Sequence, residues 1–260
     1  MRPFTSSLLF LWVGAVGVGC GGGGEGASEG APETAVDPRT GSLPLVAGAP
    51  LAPGLRRIDD ETVEAAVHLI REVPPRSPDG GAIQVVVENP AGTSAKFEVD
   101  EGDGRLRWER RDGALRVIDY LPYPANYGFV PRTRSATAAG GDGDPLDVFL
   151  LGPAEPRGRV VRARLVGALR ATDQGERDDK LLAIPVSDDD APVPLSDLED
   201  ATELRRRYPK LDLILCLWLA SYDAAEGGTQ CEELVGREEA REILDRAMAA
   251  FSDAESGADP

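Results

Sequence analysis

The order of its elements predicts an α+β protein, a small β-barrel with helices packed beside it, because strand signals fill the middle of the chain and helical ones close it. Two observations carry this. Between Ala82 and Val186 apolar residues come in short β-branched or alternating runs broken by Gly, Asn and Pro. From Leu198 onward they recur at helical spacing.

The start of the chain lies outside that pattern. Residues 1–20 place Arg2 before an apolar run from Leu8 to Val18, too short to span a bilayer comfortably and ending at Cys20. This resembles a bacterial lipoprotein signal, with Gly17 where a larger aliphatic residue is usual. The expectation is an extracytoplasmic protein, in periplasm or cell envelope, anchored to a membrane by a lipid on Cys20. The alternative is a signal cut nearby with Cys20 incidental. Residues 21–57, rich in Gly, Pro, Ala, Glu and Thr, have little to bury and predict a flexible tether.

A folded domain is expected over 58–252. Asp59-Asp60 can cap a short helix bearing Val63, Ala66, Val67 and Ile70, ended by Pro74-Pro75, with His68 beside that stripe as a packing or surface residue. Strands follow at Ile83–Glu88 and Lys96–Val99, the latter with Lys96 and Glu98 on one face. Gly102-Asp103-Gly104 turns the chain into Arg105–Arg110, and Val160–Ala171 and Leu181–Val186 are further strands joined by the polar turn Thr172–Lys180. Helices are expected at Leu198–Arg207, at Leu211–Tyr222 (apolar nearly all round, so buried) and at Glu238–Phe251, with 253–260 a frayed acidic tail. Cys216 and Cys231 form either a disulfide or two buried thiols.

The 260-residue chain carries 28 Lys+Arg against 45 Asp+Glu, a net charge of −17, which argues against nucleic acid as a partner. A single histidine, His68, disfavours Ser-His or Cys-His catalysis and zinc sites built on paired imidazoles. The chemistry therefore falls to carboxylates, cations and tyrosines, and these concentrate in Tyr120–Gly152. There Tyr123 and Tyr127 precede Asp142, Asp144 and Asp147. Two carboxylates ~4 Å apart repel by roughly 4 kcal/mol at an effective dielectric of 20, so three in so short a span call for divalent cations. Hard oxygen ligands on a flexible turn suit Mg²⁺ or Ca²⁺. Thr172–Lys180 supplies a second acidic cluster beside a lysine. The bland reading of either cluster is a solvated acidic turn.

YPANYGFVP followed by GDGDPLDV resembles the signature of the soluble, magnesium-dependent inorganic pyrophosphatases, D-x-D-P-x-D-[aliphatic]. The resemblance runs from about Val86 to Ala240 and implies a closed five-stranded, OB-like barrel with flanking C-terminal helices. VVVENP, KFEVD and VGALRATDQGERDDK carry it on either side, with a longer loop at Ser135–Gly141. It implies hydrolysis of inorganic pyrophosphate to two phosphates, with several Mg²⁺ ions, Mn²⁺ or another divalent ion as substitute. By resemblance Asp144 orients or deprotonates the attacking water. Asp142, Asp147, Asp173 and Asp178 hold metal, with Glu88 and Glu98 acting directly or through water. Lys96, Arg110, Tyr127, Lys180 and Tyr222 bind phosphate oxygens, and a homo-oligomer is expected.

The family ends its site with a Tyr-Lys pair. Here either Tyr208-Pro209-Lys210 or Tyr222-Asp223 takes that place; the second fits the helix better but puts an aspartate where the lysine belongs. On that alignment Asp223→Lys is expected to raise activity. Two other classes remain open: a non-catalytic descendant that binds metal or phosphate on a lipid tether, and a calcium-binding structural module. The latter leaves Lys96, Arg110, Lys180 and the tyrosines unexplained.

Overall fold

The structure is a computed structural model and describes residues 49–187 and 193–257. The signal-like segment with Cys20, most of the tether and residues 258–260 lie outside the described residues. The strands are β1 (Arg56–Arg57), β2 (Thr62–Glu64), β3 (Ile83–Asn89), β4 (Phe97–Val99), β5 (Leu106–Trp108), β6 (Arg110–Arg111), β7 (Ala114–Leu115), β8 (Asn126–Phe129), β9 (Asp147–Leu150), β10 (Val160–Asp173), β11 (Glu176–Arg177), β12 (Lys180–Pro185) and β13 (Gln230–Gly236). The helices are α1 (Ala201–Arg207), α2 (Leu211–Tyr222) and α3 (Arg237–Glu255).

Five strands close into a ring. β3 pairs antiparallel with β8, β8 with β9, β9 runs parallel to β12, β12 pairs with β10, and β10 returns to β3 through Val160↔Val86 to Ala163↔Ile83. Closure removes the free edges a five-stranded sheet would otherwise expose. The long strand β10 makes it possible, serving β12 along one edge and first β3, then β13, along the other. A register shift between Leu165 and Gly167 bends it. At Gly167 a Cβ would come within 2.5 Å of the Val235 carbonyl and 2.4 Å of the Ala201 Cβ, so only glycine lets β13 and α1 pack this closely.

The period-2 alternation of the strands divides the core. Val85, Val87, Val148, Leu150, Leu181 and Ala183 pack with Ala240, Ile243, Leu244 and Ala247 of α3. Their neighbours Phe149, Leu182 and Ile184 pack with Leu204, Leu215, Trp218 and Leu219 beneath α1 and α2. Val86 and Phe129 take a third set, Phe97, Leu106 and Trp108, from the four-stranded sheet β1-β2-β5-β4. One carboxylate starts two helices: Asp200 accepts from Thr202 N in α1 (2.7 Å) and Arg237 N at the head of α3 (2.7 Å).

Several expectations are corrected. The helix over Asp59–Ile70 is absent; Asp59 accepts from Glu61 N (2.8 Å), closing a turn, and Thr62–Glu64 joins the sheet as β2. His68 instead accepts from Ile70 N and Arg71 N at 3.3 Å. Ordered chain begins before Ile58, since Ala49 and Ala52 are buried and Ala52 N donates to Arg157 O at 3.0 Å. β13 had no sequence expectation. α3 continues past Ser252 to Glu255. α2 buries only one face: Leu213, Ile214 and Leu217 are 48%, 59% and 55% exposed. Cys216 of α2 and Cys231 of β13 form a disulfide, Cα atoms 5.7 Å apart.

Two stability predictions follow from the packing. The disulfide closes a 15-residue separation, so reduction or Cys216→Ser/Cys231→Ser should cost about 3 kcal/mol, read as a lowered Tm and urea midpoint; a Tm indifferent to reductant contradicts it. A Cβ on Gly128 would sit 1.8 Å from the Val86 carbonyl oxygen, so Gly128→Ala should lower the urea midpoint, whereas Gly81→Ala, whose Cβ would meet only the Asp79 side chain at 3.6 Å, should cost much less.

Candidate active site

The ends of the barrel strands bring distant acidic residues to one cavity of about 260 Å³. Glu88 comes from the end of β3, Asp147 from the start of β9, Asp173 from the end of β10, and Asp178 from the turn before β12. Asp142 and Asp144 lie in the loop entering β9, and Glu98 and Glu101 come from β4 and the turn after it. Lys96, Lys180, Tyr123, Tyr127, Trp218 and Tyr222 complete the walls.

Side chains fasten these elements together. Asn89 mimics a strand neighbour, accepting from Phe97 N and donating to Phe97 O, both at 2.8 Å, so the segment carrying Lys96 and Glu98 docks on the barrel. The buried Glu88 carboxylate accepts from Val99 N at 2.7 Å. Behind it the buried Arg157 donates to Glu88 O at 2.7 Å and stacks 3.7 Å from the Phe97 ring centroid. Asn126, fully buried in the PANYG stretch, donates to Pro153 O (2.8 Å) and accepts from Glu155 N (2.8 Å) and Ala91 N (3.2 Å), tying three segments together. In the acidic loop, Asp142 accepts from Asp144 N at 3.0 Å with Gly143 at φ +96°, a turn that glycine permits.

The electrostatics are those of crowded anions. Burial, with Asp147 adding to it, pushes the Glu88 carboxyl up to about 8. Burial and then Asp142 and Asp147 push Asp144 up to about 7. Burial raises Asp178 to about 6, against the pull of Lys180. Lys180 offsets part of this charge: Nζ donates to Asp147 Oδ2 at 2.6 Å and also pairs with Asp178. Burial disfavours its ammonium, but those two carboxylates hold it charged, well above the usual lysine range. Tyr127 Oη donates to the same Asp147 oxygen at 2.7 Å, and burial drives the Tyr127 phenol well above its ordinary value. Tyr222 stacks on Trp218, ring centroids 4.6 Å apart, and burial lifts its phenol to about 12.

Of the twelve residues the sequence singled out, eleven line this cavity: Glu88, Lys96, Glu98, Tyr127, Asp142, Asp144, Asp147, Asp173, Asp178, Lys180 and Tyr222. Arg110 does not. It lies in β6, half exposed, donating to Glu61 at 2.9 and 2.5 Å. Asp112 and Gly113, both at positive φ, turn the chain back after β6, so the arginine near the cavity is on the returning arm. That residue is Arg116, its guanidinium 5.7 Å from the Tyr222 ring centroid and bonded to Glu109 and Asp223. The Asp112-Gly113 dipeptide is the sequence signal that could have found it. Tyr208 and Lys210 are exposed and do not line the cavity. Tyr123 forms wall, its ring tilted against Trp218 with centroids 4.8 Å apart.

Eight carboxylates against two lysines make a donor set of hard oxygens, which fits divalent cations of the Mg²⁺ type. Among the described residues no three acidic side chains are gathered tightly enough to enclose an ion by themselves, and Asp147 and Asp178 are turned to Lys180.

A family profile described as inorganic pyrophosphatase matches residues 85–252. The inorganic pyrophosphatase of Streptomyces coelicolor is 36% identical over 173 residues, 65% of this chain and 95% of that protein. The solved Helicobacter pylori inorganic pyrophosphatase aligns with TM-score 0.58 and 31% identity, over 70% of this chain and 99% of that one. A truncated Trypanosoma cruzi vacuolar soluble pyrophosphatase, solved in complex with PPi, aligns with TM-score 0.67 and 21% identity over 73% of this chain and 80% of that one, a likeness of fold. With the profile matched across the barrel and α3, and the Streptomyces protein matched along nearly its whole length, this chain belongs to the inorganic pyrophosphatase family.

Proposed function

We propose that the chain hydrolyses inorganic pyrophosphate to two phosphates in a Mg²⁺-dependent reaction, with Asp144 handling the attacking water. The observation that carries this is the single cavity that gathers Asp142, Asp144, Asp147, Asp173 and Asp178 with Lys96, Lys180, Tyr127 and Tyr222. Family membership and the PPi complex of the Trypanosoma cruzi protein support pyrophosphate as the substrate.

Asp142, Asp147, Asp173 and Asp178 would hold metal, with Glu88 and Glu98 nearby. Bound there, Mg²⁺, or Mn²⁺ in its place, would lower the pKa of water and screen the charge of the substrate. Asp144 sits between Asp142 and Asp147 in the loop and lines the cavity; there it would orient the water and accept its proton. Lys96, Lys180, Tyr127 and Tyr222 donate to phosphate oxygens as charge shifts toward the leaving group. Lys180 is shared between Asp147 and Asp178, and with those carboxylates engaged as metal ligands its ammonium would be free to turn to a phosphate oxygen.

Export is part of this reading. The lipoprotein-like start ending at Cys20 and the disulfide between Cys216 and Cys231 both favour an oxidising, extracytoplasmic setting with a lipid anchor. Labelling of cells with a lipid precursor tests it: label on the natural chain and none on Cys20→Ala is expected, and a cytoplasmic, unlabelled chain contradicts it.

The activity is tested by phosphate release from pyrophosphate with and without Mg²⁺. Release that requires the metal, and a loss of about 100-fold or more in Asp144→Asn, is expected. No release above the Asp144→Asn control defeats the reading and favours a chain that binds metal or phosphate without turnover.

The metal-free chain should also lose stability as pH rises. Glu88, Asp144 and Asp178 have folded-state values above their unfolded ones, so their protonated forms favour the folded chain. Their contribution is full below about pH 4 and is lost as pH climbs toward about 8, on the order of a few kcal/mol. Mg²⁺ neutralises the ionised carboxylates, so its effect on Tm should grow between pH 5 and pH 8. A Mg²⁺ shift that is flat with pH contradicts the placement of metal among these groups.

A further inference from the structure

Five alternating charges run from the cavity wall to the chain's surface. Lys96 Nζ donates to Glu109 Oε2 at 2.8 Å, and Arg116 Nη1 donates to both Glu109 oxygens at 2.7 Å. Arg116 Nη2 donates to Asp223 Oδ2 at 2.5 Å. Arg111 then grips both Asp223 oxygens, at 2.7 and 2.8 Å. The series is cation, anion, cation, anion, cation, and it touches the cavity twice. Lys96 lines it, and Arg116 lies over the ring of Tyr222, which also lines it. Asp223 follows Tyr222 directly and caps the C-terminal end of α2, while both arginines come from the β6–β7 hairpin region more than 100 residues earlier.

The inner part of this network is shielded from water. The side chains of Arg116 and Asp223 are 11% and 19% exposed. Bidentate, charge-assisted contacts in that setting fix geometry strongly, and removing the central anion leaves two guanidiniums facing each other.

Resting on the pyrophosphatase reading above, we propose that Asp223 is a positioning residue for phosphate binding: it holds Arg116 over Tyr222 and, through Glu109, keeps Lys96 at the cavity wall. Asp223 touches no substrate in this scheme. The proposal reverses the expectation drawn from the sequence, that a lysine at this position would improve the enzyme. A lysine there would stand against Arg111 and Arg116, remove the carboxylate that the two share and pull Arg116 off the tyrosine.

The test uses the full chain as Asp223→Lys, Asp223→Asn and Asp223→Glu. Steady-state hydrolysis is measured beside equilibrium binding of inorganic phosphate with Mg²⁺, and circular dichroism checks folding. Asp223→Lys and Asp223→Asn should raise KM for pyrophosphate and weaken phosphate binding about tenfold, with kcat changed far less, and Asp223→Glu should recover most of the loss. The near-isosteric Asn variant decides the matter if the Lys variant does not fold. Tighter phosphate binding by Asp223→Lys, or an Asp223→Asn variant within about twofold of the natural chain, overturns the proposal. A natural chain that releases no phosphate defeats the functional reading alone, since phosphate binding still reports on position 223. A natural chain that neither turns over nor binds phosphate overturns both.

Discussion

Repulsion among eight carboxylates in one cavity is the constraint around which this fold is arranged. Any two of them ~4 Å apart oppose each other by roughly 4 kcal/mol at an effective dielectric of 20, so each must be held by something other than its neighbours. Val99 N holds Glu88, Asp144 N holds Asp142, and Tyr127 with Lys180 holds Asp147. Burial first, and the neighbouring carboxylates after it, raise Glu88, Asp144 and Asp178 above the usual carboxylate range. Divalent cations, as proposed for this site, would relieve that crowding.

The barrel supplies the rigidity such an arrangement needs. Asp147, Asp173 and Lys180 stand on or at the ends of ring strands, whose pairing fixes their separation. β4 lies outside the ring, and its docking through Asn89 brings Lys96 and Glu98 to the same cavity. The wall carrying Tyr222 and Trp218 belongs to α2, which the Cys216–Cys231 disulfide ties to β13. Through Asp223 that same helix grips the arginines of the β6–β7 region.

Much of this was legible in the sequence because the chemistry is local there. The DGDPLD run, the K-F-E strand and the turn ending in Lys180 are short motifs whose residues keep their spacing in the structure, and the apolar periodicity located the middle strands and all three helices. What was not legible depended on long-range pairing. β13 alternates weakly and exists because β10 offers it an edge. The stretch at Asp59–Ile70 has helical spacing, yet the turn at Asp59 and pairing with β5 turn its start into a strand. Arg110, assigned by resemblance, lies away from the cavity, and Arg116 lies nearer to it, because the Asp112-Gly113 turn folds the chain back. The sequence sets Asp223 against a missing lysine; its partners lie 107 and 112 residues away and are visible only in three dimensions.

In the proposed reaction divalent cations would take over the carboxylates that Lys180 now neutralises. Anomalous diffraction from crystals grown with Mn²⁺ and an unreactive pyrophosphate analogue measures this directly. Manganese peaks are expected among Asp142, Asp147, Asp173 and Asp178, with Lys180 moved from Asp147 toward the analogue's oxygens. An analogue bound with no manganese beside those aspartates, and Lys180 still bridging Asp147 and Asp178, would contradict it.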